Sequence, residues 1–206
     1  MRYALDLDGV LADFHSGFAR AAGRLWPGRI LAHVPPDDKH YESLGLDRSE
    51  VEMIKDEIRK TPNFWAYLPA LREGVAAVAF HQIEHPCDEI FYVTARLDDT
   101  TGMNIMGQSQ IWVENTGIGG LGTAVIVSRD KQDVFRALDV DAALDDDPRY
   151  LTGFPQGFLL SQPWNQDYSG SVRRIESVHA FFVRNSPKAS EAPVRRSTSS
   201  IPVPQP

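Results

Sequence analysis

The chain is poor in three things, and each scarcity closes a class of function. It has one cysteine, Cys87, so no internal disulfide framework can staple it, and that usage suits a reducing cytoplasm. No run approaches the about 20 apolar residues that span a bilayer, and Arg2 leads at once into an acidic motif rather than an apolar signal segment. Basic charge is also scarce: 21 Lys and Arg stand against 28 Asp and Glu, a formal net charge of −7. Polyanion binders carry a basic stripe, so a polynucleotide is a poor partner, whereas one compact anion in a pocket is not. The composition is that of a cytoplasmic globular chain of 206 residues, 42% hydrophobic, able to build one sizeable core.

What is present is a rhythm. Short apolar runs at Tyr3–Leu7, Glu89–Thr94, Ala124–Ser128, Ala142–Asp145 and Gly157–Ser161 read as strands. Helical patterns fall between and after them, at Asp13–Arg24, Glu73–His81, Asn104–Asn115, Lys131–Leu138 and Val172–Arg184. Strands alternating with helices predict right-handed crossovers and a mostly parallel α/β sheet covered on both faces. One stretch breaks the rhythm: from Asp13 to Leu71 there is helical pattern and loop but no strand, and "DRSEVEMIKDEIRK" from Asp47 reads as an amphipathic helix. The expectation is a catalytic core of residues 1–13 and 72–185, a small helical cap of residues 14–71, and a disordered Pro/Ser-rich tail, 186–206.

Open parallel sheets bind ligands beyond the carboxyl ends of their strands. The sequence puts Asp6, Asp8 and Gly9 there, then Thr94 of "YVTAR", Lys131 of "SRDK", and Asp145 to Asp147 of "ALDDDP". Hard oxygen ligands without His or Cys suit Mg²⁺. Thr94, Lys131 and a backbone N–H near Gly9 would hold phosphoryl oxygens. One aspartate can attack phosphorus while a second protonates the leaving oxygen and later activates water. Gly9 lets the backbone turn close to the phosphate.

In this order and spacing, "DLDGVLADF", "VTAR", "SRDK" and "LDDDP" resemble the four motifs of the haloacid dehalogenase superfamily of phosphatases. The likeness runs closer to its 5'(3')-deoxyribonucleotidase branch of bacteria and phage, with further similarity in "FWAYLPALREGV", "IWVENTGI" and "QPWN", over about residues 2–183. The resemblance implies a three-layer Rossmann-like core and a Mg²⁺-dependent phosphomonoesterase acting through an aspartyl phosphate on a small molecule, a nucleoside monophosphate first among them. It implies Asp6 as nucleophile and Asp8 as general acid and base, with the metal on Asp6, the Asp8 carbonyl and Asp146, supported by Asp145. Thr94, Lys131 and Arg129 would bind phosphate, and Phe14, Phe64 and Trp65 would face the base. Ala95 and Arg96 stand where mammalian members have a serine and a proline.

Plainer readings stand beside these. Aromatics at such spacings are usually core, and His15, His33, His40, His81, His85 and His179 show no metal-ligand spacing and read as structural or surface residues. Another small phosphometabolite or a nucleic-acid end is an alternative substrate. A phospho-ligand-binding module on a retired phosphatase fold is the non-enzyme alternative; such a chain would be expected to have lost one of the catalytic aspartates. A homodimer is compatible with the sequence.

Overall fold

A computed structural model describes residues 1–29, 31, 41–97 and 102–186. His33, His40 and residues 187–206 of the expected tail lie outside the described residues. Among those described, six parallel strands form one sheet in the order β3-β2-β1-β4-β5-β6. They are β1 (Arg2–Leu5), β2 (Glu89–Thr94), β3 (Thr123–Val127), β4 (Ala142–Asp145), β5 (Gly157–Leu160) and β6 (Arg173–Ile175). The helices are α1 (Phe14–Leu25), α2 (Arg48–Lys60), α3 (Arg72–Glu84), α4 (Ile105–Asn115), α5 (Lys131–Ala137), α6 (Pro148–Leu151) and α7 (Val178–Asn185). Strand order reverses at β1, which lies between β2 and β4; that crevice is where such a sheet receives ligands.

The period-two alternation of strands divides the interior. Tyr3, Leu5, Tyr92, Leu144 and Phe158 pack into one cluster, while Ala4, Val93, Ala143 and Leu159 turn to the other face and meet Phe135 and Leu151 of α5 and α6. Both faces are therefore apolar and covered, as the continuous apolar runs predict.

Two elements depart from the sequence reading. The stretch read as a helix from Val172 begins with β6, and only then turns into α7. Its three residues, with Arg173 exposed, are too few to show a two-residue period. Helix α6 is a four-residue turn opened by Pro148 and capped by Asp147, too short for any pattern.

Between β1 and β2 the chain leaves the sheet through a closed neck. Asp13 N–H donates to the Pro69 carbonyl at 2.8 Å and Leu71 N–H to the Leu11 carbonyl at 2.7 Å, around a bridge of Ala12 to Ala70. Beyond it α1 packs on α2. Asp13 caps α1 through Ser16 N–H, and Asp47 with Glu50 forms a capping box on α2. Phe18, Ile54 and Ile58 of these helices belong to the same cluster as Tyr3 and Leu5, so this segment shares its core with the sheet.

Candidate active site

The site is built where β1 stops. Asp6 N–H still pairs with Leu144 O at 2.9 Å, which fixes Asp6 beside the end of β4. The chain then coils tightly: the N–H groups of Val10, Leu11 and Ala12 all donate to the Leu7 carbonyl, at 3.3, 2.8 and 2.7 Å. Gly9 turns the corner at φ +81°. A Cβ there would sit 2.6 Å from Asp146 Oδ2 and 3.1 Å from Trp164, so glycine is needed for conformation and for space alike. The Gly9 N–H itself donates to the Ala12 carbonyl at 2.9 Å.

Asp6, Asp145 and Asp146 each bring a carboxylate oxygen within 4.8 Å of the others. Lys131, 1% exposed at the start of α5, reaches Asp6 Oδ1 at 3.0 Å and Asp145 Oδ2 at 2.7 Å, and lies over the Tyr150 ring at 4.4 Å. Burial works against its charge, but Asp145 and Asp6 outweigh burial and hold the ammonium protonated. The carboxylates are strained the other way. Burial, with the repulsion of Asp145 and Asp8, lifts Asp6 to about 7 despite Lys131. Burial also raises Asp145, and burial with the charges of Asp145 and Asp6 raises Asp146 well above the ordinary range. Three carboxylates against one ammonium leave an excess of negative charge in a hard, all-oxygen donor set. That fits a divalent cation of the Mg²⁺ type.

The triple aspartate divides into three environments. Asp145 takes Lys131 and the Asp147 N–H, Asp146 turns toward Asp6, and Asp147 caps α6 and pairs with Arg149 at 2.6 Å. Asp146 is gripped by the "QPWN" turn. Trp164 Nε1–H donates to Asp146 Oδ2 at 2.7 Å, Asn165 Nδ2 donates to the Asp146 carbonyl at 2.9 Å, and Gln162 Nε2 donates to the Gly9 carbonyl at 2.6 Å. One turn thus ties the two acidic loops together. The sequence marked this turn only by likeness; its alternation of donors is what links it to both loops.

Asp8 has a partner that the sequence reading passed over. Arg96 grips both of its oxygens, Nε to Oδ2 at 2.9 Å and Nη2 to Oδ1 at 2.9 Å. Thr94 and Arg96 stand two residues apart at the end of β2, so they point to the same side; that spacing was the available signal. Thr94 Oγ1 reaches Asp8 Oδ2 only at 3.4 Å, a weak contact.

Beside them lies a cavity of about 340 Å³ whose walls include Phe14, His15, Tyr41, Tyr150 and Trp164. Asp6, Asp8, Thr94, Lys131 and Asp146 all line it, as does Phe14. Phe64 and Trp65, expected to face a base, are buried and are not among its lining residues. Trp65 stacks on Phe14 at 5.6 Å and lies 5.0 Å from the Arg96 guanidinium, in a 3₁₀ turn that follows Asn63 at φ +57°. Arg129 is exposed and lines a neighbouring cleft with Arg136 and Gln132 rather than this cavity. His15, expected to be merely structural or surface, lines the cavity wall.

No protein-family model and no curated protein matches the chain. Solved structures do. A haloacid dehalogenase-like hydrolase from Streptococcus pneumoniae aligns with TM-score 0.51 and 11% identity, over 85% of this chain and 93% of that one. A protein assigned as a phosphoglycolate phosphatase from Lactobacillus delbrueckii subsp. bulgaricus gives TM-score 0.55 and 11% identity, over 86% and 94%. L-2-haloacid dehalogenase from Xanthobacter autotrophicus gives 0.51 and 13%, over 89% and 98%. At these identities the likeness is one of fold: the chain is an α/β protein with the architecture of the haloacid dehalogenase-like hydrolases.

Proposed function

We propose that the chain is a Mg²⁺-dependent phosphomonoesterase that passes phosphate through Asp6, with nucleoside monophosphates, deoxyribonucleotides above all, as its substrates. The observation that carries this reading is the meeting of Asp6, Asp145 and Asp146 within 4.8 Å of one another, beside buried Lys131, with Asp6, Asp146 and Lys131 lining a cavity with aromatic walls. Leu7 N–H at 2.7 Å and Lys131 at 3.0 Å both bind Asp6 Oδ1, so attack on phosphorus falls to Oδ2. Lys131 and Thr94 receive phosphoryl oxygens. Asp8 gives a proton to the leaving oxygen and takes one from the water that later hydrolyses the aspartyl phosphate. Mg²⁺ held by Asp6, the Asp8 carbonyl and Asp146 would neutralise the phosphoryl charge and the carboxylate excess. Residues 14–71 act as a cap that excludes water and macromolecules from the cavity. Phe14 and Tyr41 on its walls offer ring faces to a base, and stacking tolerates different bases.

The test is phosphate release from deoxy- and ribonucleoside monophosphates, sugar phosphates and phosphoglycolate, with Mg²⁺ or EDTA. Release that needs Mg²⁺ and favours deoxynucleotides is expected. Preference for a sugar phosphate or phosphoglycolate would keep the chemistry and discard the substrate. Folded protein that releases phosphate from none of them would sink the reading.

A further inference from the structure

We infer that Arg96 is a positioning residue for proton transfer, its guanidinium fork holding the Asp8 carboxylate at the leaving oxygen. The inference rests on the phosphomonoesterase reading and names how one part of it works. The Arg96 side chain is 0% exposed and does not line the cavity, yet the carboxylate it grips does. Bidentate pairing fixes both the position and the plane of that carboxylate, which a single contact such as Thr94 at 3.4 Å cannot do. The fork is itself braced. Nη1 donates to Ser109 Oγ at 2.8 Å, Ser109 Oγ donates to the Ile105 carbonyl at 2.8 Å, and the Trp65 ring covers the guanidinium.

A buried guanidinium is costly unless its partner sets the geometry. Here the partner is the carboxylate assigned to move protons. A carboxylate has about four lone-pair sites; the fork takes one on each oxygen and leaves the others for the travelling proton. In the first half-reaction an Asp6 oxygen bonds to phosphorus, the ester P–O bond breaks, and the Asp8 carboxyl proton passes to the leaving oxygen as the alcohol departs. In the second, water attacks phosphorus, its proton returns to Asp8, and the bond to Asp6 breaks as phosphate leaves. Arg96 stays on the Asp8 carboxylate through both.

Leaving-group dependence tests this, because kcat/KM reports events only up to departure of the alcohol. A nucleoside monophosphate needs a proton at its leaving oxygen; 4-nitrophenyl phosphate does not. Arg96→Met is expected to lower kcat/KM for the nucleotide at least about tenfold more than for the nitrophenyl ester, within the range of general-acid catalysis. Arg96→Lys should recover part of that selective loss. In an Asp8→Asn background Arg96→Met should add none. Equal losses on both esters, or a selective loss that persists beside Asp8→Asn, would overturn the inference. If melting shows Arg96→Met unfolded, Arg96→Lys and Ser109→Ala, which loosen the fork without discharging it, carry the same comparison, and equal losses there overturn it too. A wild-type protein inactive on both esters, or an active Asp6→Asn protein, would instead remove the underlying reading.

Discussion

Strands β1, β2 and β4 end in charge at both edges of the sheet, and the two edges could hardly differ more. At the amino edge Arg2 pairs with Glu89 at 2.7 Å, both nearly half exposed, and the N-terminal ammonium meets Asp88 at 2.6 Å. At the carboxyl edge Lys131, Asp145, Asp6 and Arg96 are buried. Exposed pairs contribute about 0–1 kcal/mol, since water screens them. Buried ones cost desolvation that mutual attraction only just offsets. The amino edge is what a sheet needs to end in water. The carboxyl edge carries charge that the fold alone does not require, and concentrated, unbalanced carboxylates are the mark of a site.

Breaking the buried edge should produce the largest effect. Lys131→Met strips Asp6 and Asp145 of their ammonium, and urea denaturation without metal should show a loss of about 3–5 kcal/mol. Next, Trp164→Phe keeps an aromatic side chain, though a smaller one, and removes the donor to Asp146, so calorimetric titration should show divalent-metal affinity falling about 10- to 100-fold. A change of pH sharpens the contrast. Asp6, lifted to about 7, and Asp145 and Asp146, also raised, bind protons more tightly folded than unfolded. Stability of the metal-free protein should therefore fall as pH climbs from the ordinary carboxylate range through about 7. Melting in EDTA should be several degrees higher near pH 5.5 than near pH 7.5, and Mg²⁺ should close the gap by acting more at the higher pH. The smallest effect belongs to the amino edge: Arg2→Ala should cost under about 1 kcal/mol and leave phosphate release unchanged.

Most of the frame was legible because its signals are local. Five strands showed as apolar runs, and β2 and β4 fall on the predicted limits. The gathering of Asp6, Thr94, Lys131 and the Asp145–Asp147 run followed from strand ends alone. What stayed hidden depends on contacts far apart in sequence. The grip of Trp164 on Asp146 is such a contact, as is the fork of Arg96 on Asp8, whose residues lie 88 apart. The stacking of Trp65 on Phe14 and its approach to Arg96 are contacts of the same kind, in a turn after a left-handed Asn63 that no spacing announces. Strand β6, with two arginines in three residues, hid behind charge.

The proposed role of Asp6 as the nucleophile of the buried edge can be tested on the protein itself. Acid-quenching the reaction during turnover and mapping the adduct by mass spectrometry tests it most directly. A phosphoryl group is expected on the peptide that carries Asp6, forming and decaying with turnover and missing from Asp6→Asn. Turnover with no adduct on that peptide, or an Asp6→Asn protein as active as the wild type, would contradict it.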